Sequence, residues 1–144
     1  MYTNLGRSLH TDPCQFERLF RAIYRPQNTY CIHIDRKSDP SIHRAIRAIT
    51  QCFPNTFMEY NYEIVWGSPS ILHSILGCMK DLVASSRSWK YYMNLAGQEF
   101  PLKTNLQLVR ILKLLNGANL IDGSEKQYGI LNNAFRVWKM IFGG

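Results

Sequence analysis

Residues Thr29-Tyr30-Cys31-Ile32-His33-Ile34 form a short run of β-branched, aromatic and apolar side chains. It breaks without transition into the charged segment Asp35-Arg36-Lys37-Ser38-Asp39-Pro40. Such a run, lacking a clean apolar and polar alternation, fits a strand buried on both faces, as in a parallel sheet covered by helices. It delivers Asp35 at its carboxyl end. The flanking sequence supplies suitable helices. Asp12-Pro13 reads as an N-cap followed by a first-turn proline. Phe16, Leu19, Phe20 and Ile23 then recur at helical spacing, with Arg18, Arg21 and Arg25 on the opposite face and Pro26 as the stop.

The alternation continues downstream. A second helix is expected from about Ser41 to Thr50, with Ile42, Ala45, Ile46 and Ile49 on one face. Residues 56–60 read as a strand and 62–66 as a shorter one leading into the Gly67-Ser68-Pro69 corner. Ser68 and Pro69 are expected to cap a long helix whose broad apolar stripe is Ile71, Leu72, Ile75, Leu76, Met79, Leu82 and Val83. Residues 89–95 read as a core strand, and Thr104 as the cap of a helix carrying Leu106, Val109, Leu112 and Leu115 and ending near Gly117. Strands alternating with helices imply an α/β fold with a mainly parallel sheet flanked by helices. Ligands of open sheets of that kind bind beyond the carboxyl ends of the strands, which is where Asp35, Trp66 and Glu99 are expected. After Gly117 the pattern weakens, so that residues 118–144 read as a weakly specified tail containing one apolar segment, 130–142, that could form a short helix.

Composition sets outer limits. With 144 residues, 46% of them hydrophobic and 19% charged, the chain suits one packed domain and neither a disordered tail nor a collagen-like repeat. Seventeen Lys and Arg against ten Asp and Glu give a net charge of +7, which suits an anionic partner without choosing among nucleic acid, a phosphorylated ligand and a membrane surface. No run approaches the roughly 18 to 20 apolar residues that span a bilayer, and the first ten residues lack the apolar core of a signal peptide, so the chain as given is expected to be soluble.

Most familiar reaction motifs are missing: no Walker loop, no GxGxxG, no nucleophile elbow, no HExxH. The four histidines, His10, His33, His43 and His73, fall on separate elements, and no metal site is expected; His33 is read as a satisfied core or edge histidine. The DxD pair that holds a metal and a diphosphate in many nucleotide-sugar enzymes is absent too, so a sugar nucleotide bound here would need cationic side chains in place of the metal. Cys14, Cys31, Cys52 and Cys78 match neither a CxxC site nor a compact disulfide framework; free thiols and one or two bridges both remain open on spacing alone.

Residues 21–38, RAIYRPQNTYCIHIDRKS, closely resemble the "RAIYxPQNxYCIHxDRKS" segment of the core 2 type β-1,6-N-acetylglucosaminyltransferases, members of glycosyltransferase family 14. Further blocks follow in the family's order: Cys52-Phe53-Pro54-Asn55 through Phe57, Cys78-Met79-Lys80-Asp81-Leu82, Trp89-Lys90-Tyr91, and residues 94–105. Together they cover about residues 16 to 117. The resemblance implies a Golgi membrane enzyme with a GT-A-like, Rossmann-like nucleotide-binding half. Its reaction would transfer N-acetylglucosamine from UDP-GlcNAc to an O-glycan acceptor, with inversion and without a metal or other cofactor. On this reading residues 1–117 are the nucleotide-sugar-binding half, and the membrane is reached only through an anchor that this chain does not contain.

The same resemblance places Asp35, Arg36 and Lys37 at the nucleotide, with Asp35 suited to hydrogen-bond uracil or ribose. Trp66 aligns with an aromatic that contacts the nucleotide sugar, and Glu99 with an acidic position in a Gly-x-Asp/Glu-Phe-Pro corner. From the residues alone, the alternatives are a solvated charged turn, a core tryptophan and a loop brace. Cys31 and Cys78 match a disulfide pair of the family, and Cys52 a cysteine whose partner lies upstream of Met1. The family's catalytic glutamate and its diphosphate-holding arginine and lysine belong to a C-terminal half with no counterpart here, so no catalytic residue is assigned and little or no transfer by the isolated chain is expected. The family's apolar first strand is replaced by Leu5 to His10, a poor strand.

Two rivals remain. Trp66-Gly67-Ser68-Pro69-Ser70 echoes a related protein xylosyltransferase, whereas the 26–38 and CMKDL blocks favour the core 2 branch. A non-catalytic basic module for polyanions is the other; its cations are dispersed over separate helices with no RNA- or DNA-binding motif, so no nucleic-acid partner is expected.

Overall fold

Helix and strand alternate along the chain much as the periodicity requires. The computed structural model describes residues 2–4, 12–59, 61–85, 89–96, 99–118 and 139–141. These form β1 (Tyr2–Asn4), α1 (Pro13–Ile23), β2 (Tyr30–His33), α2 (Pro40–Thr50), β3 (Thr56–Glu59), α3 (Ser70–Ala84), β4 (Tyr92–Ala96), α4 (Asn105–Leu115) and β5 (Lys139–Ile141). The first two helices start as their sequences dictate. The Asp12 carboxylate accepts the Cys14 N–H at 2.9 Å and Asp39 accepts the Ser41 N–H at 2.7 Å, each just before a proline that has no N–H to satisfy. α4 opens with a reciprocal cap between Thr104 and Gln107, and the chain leaves it through Asn116 and Gly117 at φ of 45° and 86°.

The strands lie in the order β3-β2-β1-β4-β5, parallel except for the antiparallel β4 and β5 pair. Glu59, His33, Asn4 and Ala96 stand in one row across β3, β2, β1 and β4, so four strands finish together on one edge. The strand order reverses at β1, and the crevice at such a reversal is where open α/β sheets take ligands.

The two faces of β2 divide the core. Tyr30, Ile32 and Ile34 face α1 and α2 in a cluster with Phe16, Leu19, Phe20, Ile23, Ile46, Met93, Leu95 and Leu108. Cys31 faces α3 with Ile75, Cys78, Leu82 and Tyr92. Cys31 and Cys78 form a disulfide across this second face, at a Cα separation of 5.7 Å, as the family resemblance implies. Cys14 and Cys52 are exposed and unbridged. Among the described residues no helix is long and apolar enough to cross a membrane.

Several details depart from expectation. The central strand is Tyr2–Asn4, while Leu5 to His10 lie outside the described residues. Three residues carry no readable periodicity; β1 is identified only by its two neighbours. Residues 62–66 run beside the β2 end without joining the sheet as a strand. α3 is bounded at Ser70 with Pro69 at the cap position, yet the Ser68 hydroxyl accepts the Ser70 N–H at 3.2 Å, as a cap does, while it also donates to the Val65 carbonyl of the preceding turn. Lys139–Ile141 is a strand where a helix over 130–142 was expected; it pairs the open edge of β4, and a short apolar run does not by itself distinguish helix from strand. Residues 130–138 and 142 lie outside the described residues.

Candidate functional site

β2 ends at His33, and the chain carries Ile34 and Asp35 one step beyond before turning at Arg36 and Lys37. Asp35 is 6% exposed. Its Oδ1 accepts the Lys37 N–H at 3.1 Å and the Ile64 N–H at 3.3 Å, while the Lys37 ammonium donates to the Ile64 carbonyl at 2.6 Å and stands 3.9 Å from Asp35 Oδ2. The carboxylate therefore first ties its own turn to residues 62–65, and Oδ2 is the acceptor left with capacity for a ligand. From the other side, His43 Nε2 lies 3.2 Å from the Asp35 carbonyl oxygen. The Arg36 side chain reaches outward, 66% exposed, and meets Glu63 at 3.4 Å.

Trp66 follows two residues after Ile64, on a tight turn. Gly67 adopts φ of +76°, the Ser68 hydroxyl donates to the Val65 carbonyl at 2.9 Å, and the Ser70 hydroxyl accepts the Val65 N–H at 2.9 Å. The indole is 79% exposed, which sets aside the reading of Trp66 as a core tryptophan. An aromatic ring held in solvent by a rigid turn is available to stack on a base or a sugar.

Asp35, Arg36, Lys37 and Trp66 are thus brought onto one rim. Glu99 is not in that group. It is exposed, and Phe100 and Pro101 just after it line a cavity with Ala22, Ile23 and Arg25 at the end of α1. Four of the five residues share one loop system at the carboxyl edge of β2. Among the described residues no three His, Cys, Asp or Glu side chains group closely enough to hold a metal ion.

The chain matches the family model of the Core-2/I-Branching enzyme over residues 7–141. It belongs to the Core-2/I-Branching enzyme family. This match extends beyond residues 16–117, where the individual motifs lie, in both directions. Among similar proteins, the human N-acetyllactosaminide β-1,6-N-acetylglucosaminyl-transferase is 47% identical over 117 residues, 81% of this chain and 29% of the relative. The rat β-1,3-galactosyl-O-glycosyl-glycoprotein β-1,6-N-acetylglucosaminyltransferase 3 is 45% identical over 79% of this chain and 26% of its own length. A human β-1,3-galactosyl-O-glycosyl-glycoprotein β-1,6-N-acetylglucosaminyltransferase is 51% identical over 107 residues, 74% of this chain and 25% of the relative. The Core-2/I-Branching chain described here therefore spans less than a third of the length of these curated relatives.

Sequence reasoning missed residues 62–65 as a functional element. They receive the Arg36 N–H at the Tyr62 carbonyl, 3.1 Å, and supply the Ile64 N–H to Asp35. Nothing in their composition announces a brace, since the work is done by main-chain groups. His33 also differs from expectation. It is in the core, 0% exposed, but neither ring nitrogen has a hydrogen-bond partner among the described residues. Burial pushes the imidazole down to about 4, against the Asp35 charge and the Tyr62 main chain, which both favour the protonated ring, so the ring is neutral near pH 7.

Proposed function

We propose that this chain carries the nucleotide-sugar end of a β-1,6-N-acetylglucosaminyltransferase that moves N-acetylglucosamine from UDP-GlcNAc to an O-glycan acceptor in the Golgi lumen. The observation that carries the reading is the rim of Asp35, Arg36, Lys37 and exposed Trp66 at the carboxyl edge of a 3-2-1-4 sheet, in a family whose named relatives are β-1,6-N-acetylglucosaminyltransferases. Those names favour this activity over the xylosyltransferase reading. On this rim Trp66 offers a stacking face, Asp35 Oδ2 an acceptor for a ribose or uracil donor, and Arg36 and Lys37 positive charge toward a diphosphate.

Inverting transfer needs a carboxylate to take the proton from the acceptor hydroxyl, and positive charge on the departing UDP. With Asp35 committed to the Ile64 and Lys37 amides, the base is assigned to none of the described residues. The leaving group would be met by side-chain cations, with no metal required. The Cys31–Cys78 bridge supports an oxidising lumen.

Calorimetric titration of residues 1–144 with UDP tests the reading. UDP is expected to bind, and Trp66→Ala and Arg36→Ala to weaken it; Arg36 is the cleaner cation to remove because Lys37 also braces Ile64. Radiolabelled UDP-GlcNAc with an O-glycan acceptor is expected to give little or no transfer. Turnover matching a full-length relative would overturn the assignment of the base to residues outside this set. A salt-sensitive shift on RNA without thermal stabilisation by UDP would replace the whole reading with a polyanion-binding module.

A further inference from the structure

The β2–β3 ladder changes register just before the rim. Tyr30 N–H donates to the Asn55 carbonyl and Ile34 N–H to the Glu59 carbonyl, a constant offset, but Arg36 N–H donates to Tyr62 instead of Asn61. One extra residue has entered the β3 side between Glu59 and Tyr62. The buried Glu59 carboxylate staples it by accepting the Asn61 N–H at 2.9 Å. An inserted residue re-aims the side chains that follow it. Here it turns the Tyr62 ring toward α3 and β2. The ring centroid stands 6.2 Å from that of His33, and the ring lies so close to Gly77 that a Cβ there would be 2.8 Å from Tyr62 Cε2 and 3.1 Å from its hydroxyl. Glycine in the middle of a helix is disfavoured relative to alanine, so its use at this point of α3 fits the closeness of the ring.

We infer that Tyr62, wedged between Gly77 and His33, is a positioning residue that holds residues 62–65 against the Asp35–Lys37 turn and so sets the nucleotide rim. The inference rests on the rim being a nucleotide site. Its reach is short and continuous. The Tyr62 carbonyl accepts the Arg36 N–H, the Ile64 N–H donates to Asp35 Oδ1, the Ile64 carbonyl accepts from the Lys37 ammonium, and Trp66 follows two residues on. His33 completes the wedge as a flat, uncharged ring.

The test is a size exchange. Gly77→Ala must displace the Tyr62 ring while favouring the helix; Tyr62→Leu opens the same space; the double variant returns part of the lost volume. Two quantities are read in each: UDP affinity, and hydrogen exchange at the Ile64 and Lys37 amides without ligand. Each single variant is expected to weaken UDP by about tenfold, as small misplacements of binding groups do. Both are expected to speed exchange at Ile64 and Lys37 selectively, with the double variant closer to the starting protein than either single. If Gly77→Ala does not fold, Tyr62→Leu gives the same readout from the opposite direction. Unchanged exchange at those two amides in a folded Tyr62→Leu variant overturns the inference, as does a double variant whose defects simply add. Should the unaltered chain fail to bind UDP while exchange responds as stated, the nucleotide assignment falls and the wedge stands as a positioning device.

Discussion

The two faces of the sheet are stabilised by different means. Toward α1 and α2 the core is aromatic and closely packed. Phe20 alone meets Phe16, Tyr24, Tyr30 and Phe53 at centroid distances of 5.5, 5.5, 5.2 and 5.0 Å. Toward α3 the buried cluster is smaller, is crossed by the Cys31–Cys78 bridge, and includes groups that packing alone does not favour: the unpartnered His33 ring and the fully buried Ser74. Dispersion and burial hold the first face. A covalent link and a neutral histidine accompany the second, on the side where Tyr62 supports the rim. The side bearing the candidate site is thus the one with less apolar packing of its own.

The contrast predicts where the fold breaks most readily. Phe20→Ala removes the hub of the aromatic face and is expected to cost about 3–5 kcal/mol in a urea titration, the usual loss for a buried phenylalanine. A cost under about 1 kcal/mol would mean that this face repacks freely and is not the principal core. Paired Cys31→Ala and Cys78→Ala substitutions are expected to cost about 2–4 kcal/mol, since closing a loop across 47 residues removes much unfolded-state freedom. That loss should concentrate on the α3 side, seen as faster hydrogen exchange in α3 than in α1. Equal acceleration in both helices would show that the bridge stabilises the fold as one unit.

The α1 face was the easier one to read from sequence. Phe16, Leu19, Phe20 and Ile23 are all buried, because cap, proline and periodicity point to one helix with one stripe. In α3 the periodicity marked a broad stripe, of which Ile75 and Leu82 are buried and Ile71 and Met79 pack against their cluster, while Leu72, Leu76 and Val83 stay exposed. Hydropathy reports which residues favour burial, not which of them this sheet covers. The disulfide was legible only through the family resemblance, and β1 and β5 are too short to announce themselves. At the site, Asp35 at a strand end was readable. Its bond to Ile64 N–H and the orphaned ring of His33 arise from tertiary contacts and leave no local signal.

His33 gives the α3 face a pH dependence in the acid range, whereas burial of Tyr30 on the aromatic face raises a phenol that titrates only at alkaline pH. Its folded pKa, about 4, lies below the ordinary value of 6.5 because burial disfavours the imidazolium, with Asp35 raising it and His43 lowering it further. The unfolded chain therefore binds the extra proton first as pH falls. The stability associated with the neutral ring is fully present above about pH 6.5 and is lost progressively toward pH 4, by at most roughly 3 kcal/mol. Urea midpoints measured across that window in the parent and in His33→Leu check the assignment. The variant should show a flatter profile through this range, and an identical slope would place the titration elsewhere.

The smallest expected effect tests the outer side of α3. Ile75 and Leu76 are adjacent in sequence but about 100° apart around the helix, and the first is 9% exposed against 48% for the second. Ile75→Ala opens space beneath the helix and is expected to cost about 2–5 kcal/mol. Leu76→Ser, like Leu72→Ser at 51% exposure, exchanges a half-solvated side chain for a polar one and should stay within about 0.5 kcal/mol of the parent. The pair separates a helix with one working face from a helix buried all round. If Leu76→Ser costs as much as Ile75→Ala at low protein concentration, the outer stripe is covered in the solution state and the two faces of the sheet are more alike than their packing shows. If the cost of Leu76→Ser grows only with protein concentration, the cover comes from a second molecule, and the asymmetry remains a property of the single chain.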